Sequence, residues 1–174
     1  MEKIITTIDG TYVIEKGVLT GFGQLEGMKG SRVLESKVAD EGRRDSILTP
    51  GVKEIGSYAF CCCEGLRKVH IHPSIEVIRS NAFYSCNDLK DPCFYGSHAK
   101  KIESHAFSWC AELEQVDLPP SLEHIAKDAF SHCFNLKKIN MAGDNPRYFS
   151  MGGVLYERTK DGERVVIDPK DCRD

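Results

Sequence analysis

The side chains best equipped for chemistry are eight cysteines and six histidines in a chain of 174 residues. Thiols this dense in a short sequence suit either a disulfide scaffold or a metal site. Three are consecutive, Cys61, Cys62 and Cys63, and two histidines follow at His70 and His72. Adjacent cysteines rarely converge on one zinc ion, since zinc sites space their paired cysteines by about two to four residues. A nucleophilic dyad of Cys61 or Cys62 with His70 would need a pocket that stabilises the thiolate. No Gly-rich phosphate loop, Gly-x-Ser-x-Gly or His-Glu-x-x-His motif is present. The chain is expected not to be an enzyme and to need no cofactor.

Composition narrows the rest. Leu, Ile, Val and Phe make up 43 of the 174 residues, enough for a folded core. Lys and Arg number 23 against 26 Asp and Glu, a net charge of −3, and a nucleic-acid binder would show a basic excess. No apolar run is long enough to span a bilayer, so membrane insertion is not expected. Near the N-terminus Thr6, Thr7 and Asp9 interrupt the apolar residues too early for a signal peptide. That favours a cytoplasmic protein with reduced thiols; the alternative is a secreted or cell-surface protein whose signal segment was removed.

The elements that position these groups follow from a repeat. Ala-Phe-x-x-Cys recurs at Ala59-Phe60-Cys63, Ala82-Phe83-Cys86, Ala106-Phe107-Cys110 and Ala129-Phe130-Cys133, the phenylalanines stepping by 23, 24 and 23 residues. Ile55, Ile78, Ile102 and Ile125 keep the same step, as do Leu66, Leu89, Leu113 and Leu136. So do Ile71, Phe94, Leu118 and Met141, and a single insertion, most simply His98, absorbs the longer step. Such columns are the mark of a solenoid. Val69 and Ile71 alternate with Lys68 and His70 as a half-buried strand should. Pro73-Ser74, Pro120-Ser121 and Gly143-Asp144 then turn the chain. A short apolar-x-x-Ile segment follows, and the Ala-Phe pair sits on a single helical or 3₁₀ turn. Pro92 replaces the apolar residue found as Val69, Val116 and Ile139, and its missing N–H predicts local irregularity in the sheet.

The pattern Ile-x-x-x-Ala-Phe-x-x-Cys-x-x-Leu-x-x-Val-x-Ile-Pro-x-Ser resembles the BspA-type (Treponema-type) leucine-rich repeat of many bacterial proteins. Residues 13–19 resemble the hairpin common ahead of such arrays, and 145–148 with 153–156 the hairpin that commonly follows a repeat block. The resemblance implies a β-rich leucine-rich-repeat solenoid with short helical or 3₁₀ turns. Its parallel ladder would hold about four to five repeats, capped by β-hairpins. The chain divides accordingly into a capping hairpin and irregular segment (1–51), four repeats (52–144), and a capping hairpin and tail (145–174). Most of 22–46 matches no pattern, apart from one strand near Arg32–Leu34.

The repeat also sorts the cysteines. Cys63, Cys86, Cys110 and Cys133 form one column, expected as a buried stack of reduced thiols. Parallel Cβ vectors about 4.8 Å apart stand farther apart than the roughly 3.8 Å a disulfide prefers. Cys61 and Cys62 are expected as surface or boundary thiols, and Cys172 as exposed in the tail. Outward strand residues form a concave face with three columns: Lys68, Asp91, Gln115 and Lys138; His70, Cys93, Asp117 and Asn140; and His72 with Tyr95. Mixed charge without a single-sign stripe suits a protein or peptide partner. His70, His72 and Cys93, with Asp117 one strand on, offer a weaker candidate for Zn²⁺. The reading is a non-enzymatic interaction module, monomeric or weakly self-associating, which family resemblance links to bacterial surface adhesion or host contact. The alternatives are a structural repeat or cap unit with no specific ligand, and a thiol or zinc-binding protein using His70, His72 and Cys93.

Overall fold

The computed structural model describes the backbone of residues 2–7, 10–15, 18–23 and 32–34, and backbone with side chains for 52–63, 66–94 and 96–173. In chain order its strands are β1 (Glu2–Thr7), β2 (Gly10–Glu15), β3 (Val18–Gly23), β4 (Arg32–Leu34), β5 (Glu54–Ile55), β6 (Leu66–His70), β7 (Val77–Ile78) and β8 (Asp91–Cys93). They continue with β9 (Lys101–Ile102), β10 (Gln115–Leu118), β11 (His124–Ile125), β12 (Lys138–Met141), β13 (Tyr148–Met151), β14 (Val154–Thr159) and β15 (Gly162–Ile167). Together they make a β-solenoid of about four turns.

Each turn crosses the stack on three sides. The alternating segments give the long strands, with β4, β6 and β8 in one parallel sheet and β10 with β12 in another. The apolar-x-x-Ile segments, too short for any periodic signal, give a second parallel ladder of β5, β7, β9 and β11. That ladder is headed by the antiparallel β1–β2–β3 sheet, joined where Leu19 pairs with Ile55. The third side is the Ala-Phe turn. Its bonds from Ala59 N–H to Gly56, Cys61 N–H to Tyr58 and Cys63 N–H to Phe60 are of the three-residue 3₁₀ type. Tyr58 and Cys62 lie at φ 60° and 56°, so the turns do not run on as a helix. The intervening N–H groups of Phe60 and Cys62 reach the next repeat instead, at Ala82 O (2.7 Å) and Tyr84 O (2.8 Å).

Between the three sides lies the core. Phe60, Phe83, Phe107 and Phe130 stack face to face, with ring centroids 4.9, 5.0 and 5.4 Å apart. The Ile and Leu columns are buried with them, whereas Met141, nearest the C-terminal hairpin, is only partly so. His98 is exposed, as an inserted residue should be.

The two long-strand sheets part between β8 and β10, beside Pro92. The reason is visible one repeat later. Ile139, in the column of Pro92, sends its N–H away from the preceding repeat, to Gly153 O at 2.8 Å. Proline has no N–H to send towards β10. Pro92→Val is expected to restore that bond, for about 1 kcal/mol. The loss of proline's restraint on the unfolded chain costs about 0.4–1 kcal/mol in the other direction. The melting temperature should therefore change little, while the amide introduced at position 92 should exchange at least tenfold more slowly than an unstructured amide.

The C-terminal cap has three antiparallel strands, β13–β14–β15, one more than a hairpin. Gly153, at φ 86°, allows it to approach β12 closely: a Cβ there would sit 3.3 Å from Lys137 O. Beyond it, a 3₁₀ turn at Asp171–Arg173 folds back, and Arg173 donates to Leu136 O at 3.3 Å.

Candidate functional site

The strand register decides which outward residues meet. Lys68 pairs with Asp91 and His70 with Cys93 on β6 and β8; Gln115 pairs with Lys138 and Asp117 with Asn140 on β10 and β12. The expected columns are thus present as two blocks of two strands, separated at the Pro92 break. Polar contacts order each block. Lys68 Nζ lies 2.7 Å from Asp91. Asp117 Oδ1 accepts from Asn140 Nδ2 at 2.8 Å and from Gln115 Nε2 at 3.1 Å. Tyr95 lies outside the described residues.

The zinc candidate is not assembled. No group of three or more His, Cys, Asp or Glu among the described residues could hold a metal ion. His72 shows why. Its Nδ1 accepts the Ser74 N–H at 3.0 Å, with Ser74 Oγ at 2.8 Å from the same nitrogen. Burial lowers its pKa, and the Ser74 N–H already takes the Nδ1 lone pair.

Every cysteine is a free thiol. In the repeat column, Cys86 Sγ donates to Phe60 O (3.0 Å), Cys110 Sγ to Phe83 O (3.5 Å) and Cys133 Sγ to Phe107 O (3.1 Å). Each sulfur thus ties its repeat to the backbone of the one before, a geometry that keeps the thiol proton. The side-chain hydrogen bond it makes with Cys63, together with burial, raises the Cys86 pKa, and burial does the same at Cys110. These thiols are structural. Cys172 departs from expectation: it is 4% exposed, because the terminal turn tucks it beneath the last repeat, and burial pushes its pKa up to about 12. Burial and the neighbouring Cys62 thiol raise the Cys61 pKa to about 11, which disfavours the thiolate there.

Two further surfaces escaped the sequence. On the short-strand side, Glu76 sits 2.9 Å from both Lys53 and Lys100, and Arg79 joins Glu54 (2.7 Å) to Glu103 (3.2 Å). Hydrogen bonds from Lys53 and Lys100 lower the Glu76 pKa to about 2. This face spends its charges on itself, one repeat against the next. On the turn side Trp109 stacks on His132 at 4.5 Å and meets Phe134 edge-on at 5.6 Å. Trp109 and Phe134 are 38% and 44% exposed. Ser85, Trp109 and His132 are the repeat equivalents of Cys62, and its expected surface or boundary place is the one hint of this patch in the sequence.

The chain matches the BspA type leucine rich repeat region over residues 44–149, in six copies. The pneumococcal vaccine antigen PcpA has the same fold, with a TM-score of 0.55 and 18% identity over 90% of this chain and 54% of that one. A leucine rich cell surface protein from Faecalibacterium prausnitzii (TM-score 0.43, 21% identity) aligns over 94% of this chain and 61% of its own. The T. pallidum leucine rich repeat protein (TM-score 0.43, 20% identity) aligns over 80% and 68%. This chain therefore spans less than two thirds of the first two of these structures. No curated protein matches it. A match over more than half of its length, on the columns that build its core, makes this chain a member of the BspA-type leucine-rich-repeat family.

Proposed function

We propose that the chain is a non-enzymatic interaction module that holds a protein or peptide partner on the outward, concave face of its long strands. The observation that supports this is the register, which sets Lys68 beside Asp91 and Asp117 beside Asn140 as rows of polar groups. Rows of mixed sign present alternating donors and acceptors to an extended chain lying across the strands. The setting we propose is the bacterial surface, in adhesion or host contact, in keeping with the vaccine antigen that shares the fold.

Peptides selected from a random library against the wild type provide the test. Binding should weaken at least tenfold in the Asp117→Lys, Lys138→Glu double variant, with the melting temperature held within a few degrees. Equal binding to both proteins would overturn the strand-face reading. Loss in Trp109→Ala instead would move the contact to the aromatic turn side.

A further inference from the structure

Cys61 and Cys62 are used neither by the core nor by the strand face. Their sulfurs lie 3.4 Å apart. Cys62 is exposed and Cys61 half-buried, so the pair is open to solvent. The backbone beneath it is held. Cys61 N–H is held by Tyr58 O at 3.1 Å and Cys62 N–H by Tyr84 O at 2.8 Å, with Cys62 at φ 56°. Cys63 belongs elsewhere, hydrogen-bonded to Cys86 in the buried column. The equivalent positions in later repeats are Tyr84 and Ser85, Ser108 and Trp109, Ser131 and His132. The dithiol is therefore local to the first Ala-Phe turn.

We propose that Cys61 and Cys62 form a surface dithiol site that chelates a trivalent thiophilic metalloid of the arsenite class. The bite selects the ligand. With bonds to sulfur of about 2.3 Å, a 3.4 Å separation subtends about 95° at the central atom. That is narrower than the tetrahedral angle zinc prefers, and far from the straight S–Hg–S arrangement of mercury. It matches a pyramidal centre whose lone pair compresses its bond angles, as in trivalent arsenic. Soft sulfur donors with no oxygen or nitrogen ligand suit the same atom.

The reaction needs no oxidant. An organic arsenoxide, R–As=O, meets two S–H groups; two As–S bonds form, and the oxygen leaves as water with both thiol protons. Arsenic stays trivalent. Because the Cys61 thiol is held protonated, with a pKa near 11, single-thiol reagents should react slowly there. A ligand that takes both sulfurs without leaving a free thiolate is spared that penalty.

The test uses the full chain, reduced, with phenylarsine oxide as the ligand and intact mass spectrometry as the readout. One phenylarsenic adduct should form and map to the peptide that carries Cys61 and Cys62. It should survive a hundredfold excess of 2-mercaptoethanol and be removed by a small dithiol. Cys61→Ser and Cys62→Ser should each weaken retention at least a hundredfold, while Cys93→Ser and Cys172→Ser should leave it unchanged. Cys62, being exposed, can be replaced without disturbing the fold, and an unchanged melting temperature for that variant verifies it. Absence of an adduct in the wild type would overturn the proposal. So would an adduct that survives in Cys62→Ser, or one that depends on Cys63 in place of Cys62.

Discussion

Phe107→Ala is expected to remove about 4 kcal/mol of stability, the middle of the range for truncating a buried aromatic. Phe107 is fully buried and touches three other rings: Phe83 and Phe130 in parallel at 5.0 and 5.4 Å, and Phe94 edge-on at 6.1 Å. The cavity cannot collapse easily. Its walls are ladders whose spacing is fixed by backbone bonds on either side, such as Phe83 N–H to Ala106 O and Phe107 N–H to Ala129 O, both 2.8 Å. The consequence should reach beyond the energy. A solenoid is stabilised by contacts between neighbouring repeats, and this ring lies near the β8–β10 break, where the long-strand ladder already lacks continuity. Urea unfolding of the variant should show a lower midpoint and a broadened transition, as the two halves lose their coupling. A loss below about 1.5 kcal/mol with unchanged steepness would mean that the stack is not the principal link between them.

The repeat could be read from sequence because its columns are buried for one reason each. Phe fills the centre, Leu and Ile line the strands, and Cys fits where only a small group can donate to the Phe carbonyl of the preceding repeat. Pro92 was legible too, since a missing N–H has the same effect in any sheet. Other features had no one-dimensional trace. Two-residue strands such as Val77–Ile78 hold only one alternation period, so their ladder is defined by pairing alone. Trp109 is of a type that sequence rules do not place in the left-handed region, and with the left-handed His132 it turns an aromatic patch outwards. Cys172 reads as exposed because its neighbours are charged, yet it is buried in a turn whose Arg173 reaches back to Leu136 O, 37 residues away in sequence. The expected strand face was legible as columns. The grouping of its side chains was not, because Asp117 chooses Asn140 and Gln115 through distances that only the register sets.

Asn145→Asp is expected to be nearly as damaging as the loss of Phe107, by about 3 kcal/mol at neutral pH, although it changes one atom. Asn145 is buried where the last repeat meets the cap, and its amide uses both ends. Nδ2 donates to Pro120 O and Leu122 O, each at 2.8 Å, while Oδ1 accepts from Arg147 N–H at 2.8 Å and Tyr148 N–H at 2.7 Å. Aspartate keeps the second pair and turns the first into an oxygen facing two carbonyls. Two hydrogen bonds are lost and a buried charge is left against lone pairs, each a cost of about 1–3 kcal/mol. The carboxyl would have a raised pKa in the folded state, because its neutral form alone can donate to one of those carbonyls. Its folded state then binds a proton more tightly than the unfolded chain, whose aspartate titrates near 3.9. The deficit relative to wild type should therefore be full above the folded pKa and shrink as pH falls through it. Asn145→Ala, which has nothing to titrate, should show a deficit independent of pH. Thermal melts of both variants between pH 4 and 8 distinguish the cases, and a flat profile for aspartate would mean that solvent reaches the joint. In Asn145→Ala, which loses the bond from Tyr148 N–H, hydrogen exchange should also rise first in β13 before it rises in the repeats.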